Sequence, residues 1–212
     1  MGGSNGPLRA GKATTYEGGV RVPGLAWWPG TIAAGRVETT PCSTLDVFPT
    51  LAKLAGATLP EGVTLDGVDI SPLLKGQPDP GAAPRLLTHY FGGQLQAVRE
   101  GRWKLFVPIA SLPEKRFPSL WFDHQEGLFE RQHRLWPQPV LYDLHADPGE
   151  TTDLAAHQPE IVRHLLNRAR AFDTAFQPHL RPLHLLPGPE PPAPGQIRTA
   201  DDNLSEWKKL TE

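Results

Sequence analysis

Residues 85–108, RLLTHYFGGQLQAVREGRWKLFVP, decide the fold. They divide into RLLTHYF, LQAVREG and RWKLFVP, three short runs rich in the aliphatic and aromatic residues that suit a pleated, half-buried surface. The last two are joined by a tight turn around Glu100-Gly101, so the stretch reads as an antiparallel meander. Downstream, PVLYDL at 139–144 reads as a fourth strand and runs into a turn carrying Asp147-Pro148-Gly149. A helix is expected from about Pro159, a good first-turn residue, with Ile161, Leu165, Ala169, Phe172 and Phe176 along one apolar stripe. A sheet of about four strands with one packing helix is the architecture these patterns support.

The remainder surrounds that unit. Residues 109–138 have no clear period, are rich in aromatics, Arg and His, and read as a long ordered insertion. Upstream, STLDVFPTLAKLAGA places Leu45, Phe48, Leu51 and Leu54 near helical spacing, with Ser43 or Thr44 as N-cap, Pro49 in the first turn and Gly56 as C-cap. DISPLLKG at 69–76 reads as one or two helical turns closed by Gly76. PGLAWWPG at 23–30, a short apolar run bounded by Pro and Gly, reads as a buried strand. Beyond 177 the chain turns Pro-rich and polar, and there is no internal repeat.

Composition narrows the function. A chain of 212 residues with 39% apolar and 21% charged content can bury a real core. Its net charge of −2, with both signs interspersed, offers no basic face for nucleic acid. No apolar run approaches the about 20 residues that span a bilayer. The N-terminus MGGSNG has neither an apolar signal core nor a myristoylation pattern, and it opens abruptly inside what reads as a working loop. The single cysteine, Cys42, excludes an intrachain disulfide and any cysteine-based zinc site. It lies just before an apolar helix with no histidine in a recognisable arrangement, which suits a small helix-entry residue better than a nucleophile.

Gly6 to Lys12 spells G-x-x-x-x-G-K, but Ala13 stands where a phosphate loop needs Ser or Thr, and no apolar strand precedes it. The eight histidines form no H-x-x-x-H or H-E-x-x-H pair, so a zinc hydrolase has no support. Lys12 has a different chemistry open to it. A lysine preceded by Gly11 in a glycine-rich stretch lets backbone N–H groups and an ammonium converge on a tetrahedral oxyanion such as phosphate or sulfate, whereas the plain alternative is a tight turn with a solvated lysine.

The longer stretch GGSNGPLRAGKATTYEGGVRVPGLAWWPG resembles the sulfatase family, and within it the arylsulfatase A and N-acetylgalactosamine-6-sulfatase group. Gly11-Lys12-Ala13-Thr14-Thr15-Tyr16-Glu17-Gly18-Gly19-Val20-Arg21-Val22-Pro23 matches the signature G-K-x-T-T-[YF]-E-G-G-x-R-x-P. The likeness continues through STLDVFPTLAKLAGATLP and LDGVDISPLLKG into LYDLHADPGETTDLA, and so covers about residues 1–177. It implies an α/β chain: the end of the large alkaline-phosphatase-like sulfatase domain over 1–80, a small antiparallel sheet plus helix over 81–177, and a Pro-rich tail over 178–212.

By the same resemblance Lys12 is the catalytic, sulfate-binding cation. Thr14, Thr15, Glu17 and Arg21 support the loop, Glu17 and Arg21 as a bidentate pair and the threonines through hydrogen bonds within it. His89 and His133 are candidate substrate contacts, the alternative being that both are ordinary surface histidines. The complete enzyme is implied to use calcium and a formylglycine made from the cysteine of C-x-[PA]-S-R, a motif absent from this sequence. The family's metal ligands precede the loop that opens this chain, so no metal ligand is expected here, and Asn5 in Asn5-Gly6-Pro7 is rejected as one. Ala10 replaces a cysteine that close relatives bridge to their C-terminal region, which favours a bacterial or otherwise disulfide-free homologue.

The expected function is therefore a C-terminal sulfatase fragment, inactive alone, whose partners are a sulfated small molecule or carbohydrate and the missing N-terminal catalytic region. The family implies an extracytoplasmic location, and the sequon Asn203-Leu204-Ser205 matters only in a secreted eukaryotic protein. Two rivals remain: a non-catalytic module binding sulfated carbohydrate, and one subunit of a split enzyme, which predicts an exposed apolar face along 24–28 and 45–54.

Overall fold

A computed structural model describes residues 4–12, 14–59, 61–62, 64–77, 84–91, 94–109 and 136–176. All lie in the first of two compact units, Met1–Pro178 and His179–Glu212. The expected insertion, apart from its ends, and the Pro-rich tail with Asn203 lie outside the described residues.

Four strands form one antiparallel sheet in chain order: β1 Leu86–Phe91, β2 Gln94–Glu100, β3 Trp103–Phe106 and β4 Val140–Asp143. The β2–β3 register pairs Glu100 with Trp103, leaving a two-residue turn in which Gly101 takes a left-handed φ of 56°. Alternation along the strands sorts the side chains. Val98, Leu105 and Leu141 point to one face, where Leu165 and Ala169 of the helix Pro159–Phe176 cover them. The helix begins at the expected proline, and each fully buried leucine there contributes about 1.5–3 kcal/mol. Farther along, Phe172 and Phe176 close on Tyr90, whose hydroxyl donates to Asp173 Oδ1 at 2.8 Å.

The opposite face carries Ala97, Phe106, Val140 and Tyr142, with Leu144, and receives Tyr16 from the N-terminal loop, its ring centroid 4.9 Å from that of Phe106. One irregularity matters here. Between His89–Ala97 and Tyr90–Leu95 the register slips, and Gln96 is the extra residue of a bulge. Gln96 thereby meets the same loop as Ala97, and Thr15 Oγ1 donates to Gln96 Oε1 at 3.3 Å.

The N-terminal segment is built from short helices: α1 Glu17–Val20, a 3-10 turn Thr44–Asp46 leading into α2 Val47–Leu54, and α3 Ser71–Leu74. The helix Pro159–Phe176 is therefore α4. Ser43 and Asp46 form a capping box, and just past α2 Gly56 takes a left-handed φ of 68°, with Ala57 N–H donating to Ala52 O at 2.9 Å. Asp46 ties this segment to the sheet. Its buried carboxylate accepts from Ser43 N (2.7 Å), Val68 N (2.9 Å) and both ends of the Arg85 guanidinium, just before β1. Burial pushes that carboxyl up, but Arg85 and the two N–H donors outweigh it and hold it below the usual carboxylate range.

One expectation is corrected. Residues 23–30 form no strand: no described strand pairs with them, and Leu25 and Trp27 stand 95% and 82% exposed. A strand exists through its ladder partners, and an apolar run without them stays irregular. Helix α2 forms, but Asp46, Pro49 and Thr50 face inward while Phe48 and Leu51 face out. Among the described residues no helix is long and apolar enough to cross a membrane.

Candidate functional site: the lysine loop and its buried ionic frame

Lys12 sits exposed on a loop that folds back over α1. Gly6 and Ala10 take left-handed φ of 58° and 59°, and Asn5 Nδ2 donates to Ala10 O at 2.6 Å. That places Asn5 inside the loop's own hydrogen bonding. Thr14 Oγ1 donates to Gly11 O at 2.8 Å, and Gly18 N–H donates to Arg9 O at 2.9 Å. A Cβ on Gly18 would lie 2.3 Å from Arg9 O, and one on Gly19 would lie 2.3 Å from Thr14 O. The paired glycines after Glu17 are thus required for the loop to close onto the helix.

Beneath the loop lies a cluster of charges. Lys104, from the middle of β3, is completely buried. Its Nζ contacts Glu17 Oε1 and Glu150 Oε1, each at 3.0 Å, the second an ionic contact without hydrogen-bond alignment. Arg99 of β2 reaches Glu17 Oε2 at 2.8 Å. Glu150 Oε2 accepts the backbone N–H of Glu17 at 2.7 Å, and the carbonyl of Glu150 accepts Arg9 Nη1 at 2.5 Å. The Arg9 guanidinium also lies over the Tyr16 ring, 4.3 Å from its centroid. Taking so many charges out of water is costly, so the cluster holds only because each carboxylate has a cation at contact distance.

The two acids respond differently. Burial pushes the Glu17 carboxyl up, but Lys104 and Arg99 overcome it and hold it below the ordinary range. For Glu150 burial wins over Lys104 and the Glu17 N–H, and its carboxyl is raised. His89, opposite Ala97 on β1, has a buried Nε2 with no hydrogen-bond partner among the described residues. Burial and the positive charge of Lys104 push its ring down to about 4, Glu17 opposing and Arg99 adding to the effect, so the imidazole is neutral at pH 7.

Of the expected supports, Thr14, Thr15 and Glu17 are buried around the loop. Thr14 bonds within it, and Thr15 bonds across to the sheet instead. The expected Glu17–Arg21 pair is replaced by Glu17 with Arg99 and Lys104. Arg21 is exposed and joins through its backbone N–H, which donates to Glu17 O at 2.8 Å. The carboxylate turns inward, toward cations that only the folded sheet delivers. His133 lies outside the described residues. Cys42 is exposed, its thiol donating to Thr40 O at 3.5 Å. Sequence reasoning missed Arg9, Gln96, Arg99, Lys104 and Glu150. A lysine within the apolar run RWKLFV is a signal, as is Glu150 inside the D-P-x-E element, yet neither names its partner.

Residues 1–57 match the family description "Sulfatase", and residues 82–186 match "C-terminal region of aryl-sulfatase". The chain is 42% identical to human arylsulfatase A over 77% of its own length and 32% of that protein. It is 38% identical to steryl-sulfatase of Mus musculus over 86% of its length and 30% of that protein. Among solved structures, Ps i-CgsB, crystallised with k-i-k-neocarrahexaose, superposes with a TM-score of 0.58 at 27% identity, over 80% of this chain and 32% of that one. These relatives define the class by its alkaline-phosphatase-like fold. It belongs to the sulfatase family, as its C-terminal portion. It spans about a third of the length of the curated relatives it matches.

Proposed function

We propose that this chain is the C-terminal part of a sulfate-ester hydrolase in which Lys12 is the sulfate-binding cation. The observation that carries this reading is the loop itself: an exposed lysine residue beside a glycine, on a turn whose base is locked by Glu17, Lys104 and Glu150. A lysine is a flexible point charge, and fixing its backbone lowers the ordering cost when it meets an anion. Held there, the ammonium lies against the sulfuryl oxygens, on which negative charge gathers as the bond between sulfur and the alcohol oxygen breaks. Water is consumed, and alcohol and sulfate are released.

Thr14 and the Gly18-Gly19 close approach keep the loop's shape, and Glu17 anchors it to the sheet. For His89 the neutral ring, with its Nε2 buried, favours a place in the frame over a substrate contact. A sulfated carbohydrate is the favoured substrate class, supported by the oligosaccharide bound to Ps i-CgsB. The formylglycine and calcium of the family are not assigned to this chain. It has no C-x-[PA]-S-R, and among the described residues no group of three or more His, Cys, Asp or Glu could hold a metal ion.

The exposed Leu25, Trp27, Phe48 and Leu51 favour completion of this chain by further catalytic sequence, in the same polypeptide or in a second one. The test is turnover of an aryl sulfate with calcium present. The 212-residue chain alone is expected to show none, and a complete sulfatase carrying this segment is expected to lose about 10²–10³ in kcat on Lys12→Ala. Turnover by the chain alone overturns the fragment reading, and an unaffected K12A enzyme overturns the role of Lys12. Saturable binding of a sulfated sugar by the chain alone, lost in K12A, would favour a binding module instead.

A further inference from the structure

The loop that presents Lys12 begins at Arg9 and ends in α1 at Glu17, and both of those residues bond to Glu150. The Arg9 guanidinium donates to the Glu150 carbonyl at 2.5 Å, and the Glu17 backbone N–H donates to Glu150 Oε2 at 2.7 Å. The other carboxylate oxygen faces Lys104 Nζ at 3.0 Å, so β3 fixes Glu150 from below. The turn also lies close to the chain ahead of the loop, since a Cβ on Gly149 would come 3.2 Å from Pro7 O.

Glu150 holds a left-handed φ of 52°, a conformation that costs a non-glycine residue of order 1 kcal/mol or more and persists where the surroundings fix it. Those surroundings are visible. Asp147 accepts from the N–H groups of Thr151 (2.6 Å) and Thr152 (2.8 Å), and its carbonyl accepts Glu150 N–H at 3.2 Å. The D-P-G-E turn is thus a rigid bracket, and a glycine at 150 would relieve its strain but lose the carboxylate.

We propose that Glu150 is a positioning residue for Lys12, clamping both ends of the lysine loop onto the C-terminal sheet. This rests on the reading of Lys12 as the sulfate-binding cation. Glu150 touches no substrate and acts through where it puts the ammonium.

The test is a double-mutant cycle in a complete sulfatase carrying this segment, with an aryl sulfate as probe, together with amide hydrogen exchange over residues 9–19. Glu150→Gln keeps the side-chain shape but removes the charge that Lys104 faces. It is expected to lower kcat/KM about tenfold or more, because a small misplacement of a positioned charge is costly. In the K12A background it should cost less than about twofold, since coupled residues are non-additive. Exchange at residues 14–19 should quicken at least about tenfold while β3 is unchanged. Arg9→Met, which removes one of the two attachments, should give a smaller loss of the same pattern and carries the cycle if E150Q does not fold. An equal loss in both backgrounds overturns the proposal, as do native kinetics and native exchange in E150Q. If K12A leaves turnover intact, the assignment of Lys12 has failed, and the exchange measurement still decides the clamp.

Discussion

Two parts of this chain satisfy burial in opposite ways. Between Leu86 and Phe176 the apolar side chains find one another: Leu105 and Leu141 are fully enclosed by Leu165, Ala169 and their neighbours. Between Ser4 and Gln77 the buried groups are mostly polar or charged, Thr14, Thr15, Glu17, Asp46 and Thr50 among them, while Trp27, Phe48 and Leu51 face outward. The sheet with α4 carries its own hydrophobic driving force. The first part is held to it by two ionic anchors, Asp46 with Arg85 and Glu17 with Lys104 and Arg99, together with Tyr16 against Phe106 and the bonds of Arg9 and Glu17 to Glu150. A region can therefore take a defined shape without a core of its own, provided its charges are satisfied by a neighbour that has one.

The largest effect is expected where the two parts join. Lys104→Met leaves Glu17 and Glu150 buried without their shared cation and should destabilise the protein by about 3–5 kcal/mol. Chemical denaturation reads this, and a change below about 1 kcal/mol would mean the anchor is dispensable. A matched pair of truncations then contrasts the two surfaces directly. Leu141→Ala, at a site with no exposure, should cost about 3 kcal/mol, whereas Leu51→Ala, 59% exposed, should stay within about 0.5 kcal/mol and reduce self-association in light scattering. Equal costs at the two sites would erase the distinction.

Acid probes the joint more gently. The His89 ring is depressed from 6.5 to about 4, so between those values the unfolded chain takes up a proton that the folded chain refuses. Stability present above pH 6.5 is thus lost as pH falls toward 4, by about 2 kcal/mol at pH 5 for this one group. His89→Gln should flatten that part of the stability curve, and an unchanged slope would show that the ring is not shielded. Glu17, also depressed, adds a loss at lower pH, below the ordinary carboxylate value of 4.5, and Glu150, raised, acts in the opposite sense.

Much of the local structure was legible. The alternation in 85–108 and 139–144 specified four strands, Pro159 marked the start of α4, and Ser43 and Gly56 bounded the helical turns around α2. These features depend on neighbours a few residues away, and the signature around Lys12 was legible for the same reason. The helical period in 45–54 was also real, yet period states that one face is apolar and not whether anything covers it. The run at 23–30 failed as a strand on the same ground, because a ladder needs a partner that no local pattern supplies.

By itself, then, the sequence determined the four strands and the main helices, the family signature and the glycines that let the Lys12 loop close. Only the tertiary structure decided who pairs with whom. Glu17 turned from the nearby Arg21 to Arg99 and Lys104, more than eighty residues away along the chain. Glu150 emerged at the meeting of Arg9, Glu17 and Lys104. The physical reason is that a buried charge is satisfied by whichever opposite charge the fold brings within about 3 Å, and strand register, bulge and turn geometry set that distance.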